Sequence, residues 1–253
     1  MIQSTTNRLL DTLPSSLSRS LFFARLKQVA LYQHEVLFDV RGSINKIYFP
    51  LDAVVSLIVP LSNGQNIEAA MVGRDSVLGA CAGFGATSSA SRAVVHIPGQ
   101  CLWCEVGTLT SAIAEFPALH SIIVAHEHAL LSHTQQSAAC NAVHNLESRL
   151  ARHLLRAADL HGRGEFPLTQ EHLAEMLGAR RTTVTLIARR FQDTGIIKYR
   201  RGQIKILDRA KLESAACECY VAIKSNYQAL LTEPIIPMLA DVGGQVVVAP
   251  SGV

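Results

Sequence analysis

Residues 177–206, LGARRTTVTLIARRFQDTGIIKYRRGQIKI, decide the fold. Apolar side chains recur there at steps of three and four, which predicts a helix from about 180 to 192 with one buried face: Val184, Ile187, Ala188 and Phe191. The first turn of this helix carries only charged or hydroxyl side chains: Arg180, Arg181, Thr182 and Thr183. We expect that turn to be exposed and to contact an anionic partner.

A shorter helix is predicted just before this one. Thr169 is a good N-cap, and Leu168 with Leu173 fits a hydrophobic staple, although His172 stands where a capping box has Glu or Gln. Its buried face is expected to hold Leu173, Ala174 and Leu177. Gly178 then permits a tight turn. Two short helices joined by a glycine-containing turn are the helix-turn-helix pattern.

The segment GIIKYRRGQIKIL predicts two strands around Arg201-Gly202. Residues 165–211 carry ten Lys and Arg against five Asp and Glu, whereas residues 1–164 carry 12 against 11 and residues 212–253 carry one against four. A local basic excess of this kind is typical of a surface that binds nucleic acid. We expect the hairpin to contact phosphates in a salt-sensitive way through Lys198, Arg200, Arg201 and Lys205.

The N-terminal half has a different sequence pattern, made of short β-rich runs. A helical segment is expected over 4–27, interrupted by Pro14. Seven short β-rich runs follow between about 28 and 107, and the SNGQ sequence at 62–65 predicts a hairpin with a type I′ turn. Regularly spaced short strands indicate an antiparallel β-roll or barrel. The stretch rich in Gly, Ala and Ser at 77–91 is not expected to form a strand.

A long helix is predicted from Pro117 to about 143, because proline is tolerated at the first helical position. One set of its residues repeats at alternating steps of three and four, a heptad seam along which a second helix is expected to lie. We interpret this set as a dimer seam: Leu119, Ile122, His126, Ala129, His133, Gln136 and Cys140. A further helix, ending at Gly162, follows.

Composition limits the class of protein. The 253 residues are 49% hydrophobic and 17% charged, as in a folded globular protein of one or two domains. The start of the chain lacks the pattern of a signal peptide, and the apolar runs are too short to span a bilayer. Six cysteines without a secretory signal indicate reduced thiols. We therefore expect a soluble cytoplasmic protein.

The segment PLTQEHLAEMLGARRTTVTLIARRFQDTGIIKY resembles the winged helix-turn-helix of the Crp/Fnr family. The order of the predicted elements over about 20–212 also resembles that family. The resemblance implies an α+β fold with four parts: a jelly-roll-like antiparallel β-roll with an N-terminal helix at 1–115, a dimerisation helix at 116–145, a winged helix-turn-helix at 146–212, and a C-terminal helix and tail at 213–253. It also implies a homodimeric transcription regulator on a two-fold-symmetric operator in double-stranded DNA, with RNA polymerase as a further candidate partner.

The resemblance extends to individual residues. Arg181 matches the family's guanine-reading arginine, Thr182 replaces a frequent Glu, and Leu186 stands where the cyclic-AMP receptor protein has a second base-reading Arg. Arg180 occupies a helix cap where the family often has Ser, so a weaker cap is expected. The expected DNA-binding set is Thr169, Gln170, Arg180, Arg181, Thr182, Thr183, Thr185, Arg189, Lys198, Arg200 and Arg201.

The β-roll lacks the residues that hold a cyclic nucleotide in other family members. Gly79-Ala80 stands in place of their Gly-Glu pair, Arg92 is followed directly by Ala93, and no carboxylate lies between Asp75 and Glu105. A ribose hydroxyl buried without its acceptor costs about 1–3 kcal/mol. We therefore expect no gating by cyclic AMP and no cofactor, and an unknown effector, or none.

Metal and redox chemistry is also weakly indicated. The first cysteine is Cys81, too late for the N-terminal iron–sulfur ligands of the Fnr branch. Cys101 and Cys104 are expected to pack in a strand, Cys217 and Cys219 to be structural or incidental, and no metal site is expected. An alternative is a sensor of pH, metal or oxidant at the dimer seam, formed by His126, His133 and Cys140.

An enzyme is not expected. A cupin-type metalloenzyme needs a His-x-His pair on strands, whereas His126 and His128 lie on the long helix, and no catalytic motif of a hydrolase or nucleotide-binding enzyme is present. A non-DNA interaction module that retains the fold stays open as a rival. The tail from about 231 to 253 is left undecided between disorder and an added strand.

Overall fold

The computed structural model describes residues 7–13 and 21–232. All seven β-rich runs form strands: β1 (Lys27–Leu31), β2 (Val36–Phe38), β3 (Lys46–Pro50), β4 (Val54–Pro60), β5 (Asn66–Val72), β6 (Arg92–Ile97) and β7 (Gly99–Glu105). They pair into two antiparallel sheets, β1-β7-β3 and β2-β6-β4-β5, whose facing side chains form one core. The predicted β-roll is thereby confirmed.

The hairpin between β4 and β5 is confirmed, but its predicted turn type is wrong. Gly64 has φ +84°, whereas Asn63 is not among the residues with positive φ, so the two central residues of a type I′ turn are not present. Instead, the Leu61 carbonyl accepts a hydrogen bond from the Gly64 amide, and the Leu61 amide donates to the Gln65 carbonyl. This is a three-residue loop in which a tight turn is followed by a glycine with positive φ.

Two short helices precede the roll, α1 (Arg8–Asp11) and α2 (Leu21–Ala24), while Pro14 lies outside the described residues. A 3-10 helix, Ala80–Phe84, occupies the predicted non-strand stretch. The helix α3 (Val106–Glu115), which the sequence reading missed, leads into α4 (Pro117–Val143). No single helix in the described ranges is long and apolar enough to cross a membrane, although α3 and α4 pass that test as a pair bent by 119°.

The seam of α4 packs inside its own chain. Six of its seven members are buried, and its lower half is covered by the C-terminal helix α9 (Cys219–Thr232). His133 Nδ1 lies 3.4 Å from the Tyr227 hydroxyl, and Gln136 Nε2 donates to Cys219 Sγ at 3.0 Å. A second helix does lie along the seam, and it belongs to the same chain. Burial within the chain contradicts the assignment to a partner copy for Leu119, Ile122, His126, Ala129, His133 and Cys140, whereas Gln136 is half-buried.

The upper half of this seam faces the β-roll. The amide of Val77 donates to His126 Nε2 at 3.3 Å, and Leu119, Ile122 and Ala129 belong to the core of the roll. A sensor that requires His126, His133 and Cys140 to meet their copies across a two-fold axis is excluded by the same burial. The heptad pattern records burial, and burial within a chain produces the same pattern as burial between chains.

The C-terminal part contains α5 (Leu146–His161), β8 (Glu165–Pro167), α6 (Gln170–Met176), α7 (Arg181–Asp193), β9 (Ile197–Arg200), β10 (Gln203–Ile206) and α8 (Arg209–Ala215). Asn145 caps α5 by accepting from the Ser148 amide, and Gly162 ends it at φ +79°. The strands form a small sheet in the order β8-β10-β9. β8 and α8 had not been predicted, whereas α5, α6, α7 and the hairpin had.

This unit docks on the roll through a mixed core and a buried histidine cluster. Val54, Met71 and Ile97 of the roll pack with apolar residues of α5, α6 and α7. His96 of β6 lies between His153 of α5, at 3.4 Å between their Nε2 atoms, and His172 of α6, to which its Nδ1 is hydrogen-bonded. The cluster therefore spans the boundary between the two units.

Charged and titratable groups surround His96 from every side. Burial first, then His172, His153 and His34, lower the pKa of His96 well below its ordinary value, and Glu68 opposes them only in part. Burial also lowers the pKa of His172, next to Glu175. Although burial opposes ionisation of Glu68, His153 and a hydrogen bond from Ser56 outweigh it and lower the pKa of Glu68 to about 2.

These shifts predict a loss of stability in mild acid. His96 stays neutral when folded, but the unfolded side chain takes up a proton below about pH 6.5. As the pH decreases below this value, the free energy of unfolding decreases by about 1.4 kcal/mol per pH unit for each proton that only the unfolded chain binds. Urea unfolding at about pH 8 and about pH 5.5 measures this dependence. His96→Gln is expected to weaken it, and His120→Gln, where His120 packs on Phe84, is the control. Equal acid sensitivity of all three proteins contradicts the prediction.

Candidate nucleic-acid interface

The first helix of the helix-turn-helix is held by local caps. Thr169 accepts the His172 amide at 3.1 Å, as the sequence predicts for its N-cap. Leu168 and Leu173 are both buried in the core of this unit. At the other end of α6, Arg149 of α5 donates to the Leu177 carbonyl at 2.6 Å. The helix is therefore fixed at both ends before the turn begins.

The turn depends on Gly178. Its φ of +60° is unfavourable for other residues, and a Cβ there would lie 2.5 Å from Ile67 Cδ1 of the roll. The turn aims α7 so that Val184, Ile187, Ala188 and Phe191 are all buried, which confirms the predicted apolar stripe. The opposite face of α7 points away from the core.

That opposite face is exposed, and it begins with the predicted turn. The exposed side chains are Arg180, Arg181, Thr182, Thr183, Thr185, Leu186, Arg189 and Arg190. Arg180 is the N-cap residue, and its side chain makes no capping bond. The first amides of an α-helix have no partners within the helix, so this end attracts an anion such as phosphate.

Exposed carboxylates already hold some of these cations. Arg181 Nη1 lies 3.1 Å from Glu171 Oε2, and both side chains are about two-thirds exposed. Thr185 donates to the Gln170 side chain at 2.7 Å, which orients both across the two helices. Exposed ion pairs contribute little stability, typically below about 1 kcal/mol. An anionic partner can therefore exchange for Glu171 at small cost.

The hairpin of β9 and β10 forms a wing beside α7. Arg200 pairs with Gln203 across a two-residue turn, in which Arg201 has φ +50° and Gly202 φ +76°. Both values are positive, as a type I′ turn requires. The Leu168 amide donates to the Gly202 carbonyl at 2.7 Å, and the Gln170 amide donates to the Tyr199 hydroxyl at 3.2 Å. The wing is therefore fixed against α6.

Arg201 adopts a backbone conformation that a residue with a side chain rarely adopts. Its side chain is exposed at the tip of the wing, and Arg200 and Lys198 are both exposed on β9. In the described part of the chain no ion pair holds Lys198, Arg189, Arg200 or Arg201. These four cations face solvent on the same unit as the first turn of α7.

Two exposed cations of this surface were not in the predicted DNA-binding set. Arg190 pairs with Glu147 at 2.8 Å, and Lys205 pairs with Glu165 at 3.2 Å. Lys205 was predicted to contact phosphates but was not placed in the set. Arg190 directly follows Arg189 in the sequence, and this Arg-Arg pair is the sequence feature from which Arg190 could have been predicted.

Arg92 and Gly79-Ala80, which the sequence compares with nucleotide-binding residues of the family, are engaged within the chain. Arg92 donates twice to Asp39, from Nε and Nη2, each at 2.9 Å. Ala80 is fully buried, and a Cβ on Gly79 would lie 2.9 Å from Ile44.

Cys101 and Cys104 are both buried in β7, whose neighbours on either side are β1 and β3. Burial raises the pKa of the Cys101 thiol and raises that of Cys104 to about 12. Thiols in this state are poor ligands and nucleophiles. Their contacts fit the expected role in packing.

Known proteins share the helix-turn-helix and the fold of this chain. Residues 148–215 match the family model of the Crp-like helix-turn-helix domain. No curated protein sequence matches the chain. Similar solved structures include a Crp/Fnr-family transcriptional regulator from Eubacterium rectale, with 17% identity, a TM-score of 0.62, and coverage of 84% of this chain and 99% of its own.

Two further structures have the same fold. FixK2 from Bradyrhizobium japonicum has 16% identity and a TM-score of 0.63, and the match covers 76% of this chain and 98% of that one. A Crp-family transcriptional regulator from Thermus thermophilus has 20% identity and a TM-score of 0.61, with 75% and 96% covered. Residues 148–215 are therefore a Crp-like helix-turn-helix domain, and the chain as a whole has the α+β fold of these solved structures.

Proposed function

We propose that this protein is a sequence-specific DNA-binding transcription regulator that acts as a homodimer on a two-fold-symmetric operator, without gating by cyclic AMP. The observation that carries the proposal is the exposed first turn of α7, flanked by a rigid basic wing. An α-helix fits the major groove of B-DNA, where base edges can be read. The exposed cations of the wing would bind phosphates of the DNA backbone beside this helix.

The side chains divide into two roles. Arg181 has the geometry to donate two bonds to a guanine, and Thr182 and Thr185 offer hydroxyl and methyl groups to neighbouring bases. Leu186, 63% exposed, offers a thymine methyl an apolar contact. The remaining cations bind phosphates and carry no sequence information: Arg180, Arg189, Lys198, Arg200 and Arg201. Thr169, Gln170 and Thr183 complete the surface at the ends of α6 and α7.

Arg181→Ala tests the base-reading role. On DNA selected from random sequence, the homodimer would lose one bidentate guanine contact in each half-site. Each lost contact is expected to weaken binding by roughly 10- to 100-fold and to relax selectivity at one base pair of its half-site. Fluorescence anisotropy with selected and scrambled DNA measures both effects. Arg163→Ala is the control, because Arg163 is 72% exposed yet faces Asp52 of the roll. If the two variants bind alike, Arg181 does not read bases.

Arg201→Asn tests the wing separately. Asn tolerates positive φ, so the turn is kept while the charge is removed. Binding is expected to weaken equally on all DNA sequences. The magnitude of the slope of log affinity against log salt should fall by about 1.8, which is about 0.9 for each of the two Arg201 side chains in the homodimer. The melting temperature should be unchanged or higher, since strain at Arg201 is relieved. An unaltered salt slope in the anisotropy titration contradicts the phosphate contact.

A second seam on α4 supports the homodimer. The exposed face of this helix repeats with heptad spacing, and Val124 and Leu131 at its centre are 49% and 55% exposed. The face contains Pro117, Val124, His128, Leu131, Gln135, Ala138 and Ala142. Small residues toward its C-terminal end allow two helices to approach closely. A copy of the same helix is self-complementary to it about a two-fold axis.

Val124→Glu with Leu131→Glu is expected to convert the dimer to monomer, because like charges would meet across the axis. Sedimentation velocity gives the mass, and the DNA titration should show weakened binding, since one half-site is then lost. Val221→Glu is the control: Val221 is 61% exposed on α9 and outside this face. A dimer that survives the double change shows that another surface joins the copies.

A further inference from the structure

Three cysteines and one histidine meet where the long helix ends. Cys140 lies in the last turn of α4, and His144 is its C-cap. Cys217 and Cys219 lie at the connection between α8 and α9. One potential ligand atom from each side chain lies within 4.8 Å of all the others. The three cysteines are free and buried, and 77 residues separate Cys140 from Cys217.

Two distances within the cluster match those between ligands of a tetrahedral zinc ion. Cys140 Sγ lies 3.5 Å from Cys217 Sγ, and Cys219 Sγ lies 3.5 Å from His144 Nδ1. Zinc bonds of about 2.3 Å to sulfur and about 2.0 Å to nitrogen place tetrahedral ligands about 3.5–3.8 Å apart. A disulfide needs about 2.05 Å between its sulfurs. Cys140 and Cys217 are therefore not bonded to each other, and both distances suit ligands of one zinc ion.

The surrounding groups orient the ligands. His144 presents Nδ1 to the sulfurs, and its Nε2 lies 3.1 Å from Glu218 Oε1. A carboxylate on the second ring nitrogen is the usual support for a metal-binding histidine, because it fixes the ring and its tautomer. Gln136 donates to Cys219 Sγ at 3.0 Å, which suits a thiolate. Both neighbours are polar side chains placed on the outer side of the ligands.

A zinc ion at the centre of the cluster would carry a charge that the surroundings can offset. Three thiolates, one neutral imidazole and Zn²⁺ sum to one negative charge, and the buried Arg152 guanidinium supplies one positive charge.

We propose that Cys140, His144, Cys217 and Cys219 bind one Zn²⁺ with tetrahedral coordination. Binding forms three zinc–sulfur bonds and one zinc–nitrogen bond and releases the thiol protons to solvent, with no change in oxidation state. The site joins the end of α4 to the connection before α9. It therefore holds the turn at 144–145, through which the DNA-binding unit is attached. This proposal does not rest on DNA binding.

The first test is metal content and cobalt spectroscopy of the full chain, purified reduced and without a polyhistidine tag. We expect one zinc per chain by elemental mass spectrometry. Replacing zinc with Co²⁺ should give the intense thiolate charge-transfer band and the visible bands of a tetrahedral site. Removing the metal with a chelator should lower the melting temperature, because the binding energy of a structural zinc stabilises the fold.

Variants locate the site. Cys217→Ser should lose the metal and the charge-transfer band, and Cys81→Ser, on the 3-10 helix of the roll, should keep both. Glu218→Gln should keep the spectrum while weakening the metal's affinity roughly 10- to 100-fold. The proposal is overturned if reduced wild-type protein gives no cobalt–thiolate band. An iron–sulfur chromophore, or a spectrum that Cys217→Ser leaves unchanged, overturns it equally.

Discussion

A buried ion pair between Arg156 and Asp75 joins the three parts of this molecule. Arg156 of α5 donates to both carboxylate oxygens of Asp75 at 2.7 and 3.2 Å, and both side chains are almost fully buried. The guanidinium also lies 4.4 Å from the ring centre of Tyr227 on α9. The β-roll, the DNA-binding unit and the C-terminal helix therefore meet at one cation. Removing one partner of such a pair typically costs about 3–5 kcal/mol, because the other charge stays buried.

This ion pair helps to explain why α4 has two faces with different packing. Tyr227 also reaches His133 on α4, so the ion pair holds α9 along the inner seam of that helix. Among the described residues the inner seam is filled by the chain itself, whereas Val124 and Leu131 on the outer face of α4 stay exposed, and this outer face is the one that we propose to meet a second copy. The cysteine cluster lies at the lower end of the same contact, next to the turn between α4 and α5.

Local signals in the sequence predicted much of the fold. The alternating strands, the Thr169 cap, the Gly178 turn, the apolar stripe of α7 and the wing around Arg201-Gly202 each depend on neighbouring residues, and the structure contains all of them. The exposed first turn of α7 follows from the same local pattern. The proposed contact of this turn with DNA is inferred from the resemblance of the segment to the Crp/Fnr family and from its positive charge.

Other features depend on which distant segments meet. The heptad pattern of α4 correctly predicted a neighbouring helix, but it cannot distinguish α9 of the same chain from a partner's α4. The spacing of four between Cys140 and His144 and the Cys-x-Cys of 217–219 are each weak signals of a metal site. Only the packing of α9 brings them together. The turn after β4 was mistaken because Asn-Gly also fits a three-residue loop with one positive φ.

The most direct measurement is hydroxyl-radical footprinting of the full chain on DNA selected from random sequence, with no ligand added. We expect two protected stretches related by two-fold symmetry, with centres about 34 Å, one helical turn, apart on one face of the duplex. Selection that enriches no sequence, or protection of a single stretch without symmetry, would contradict a homodimeric regulator that reads DNA through α7.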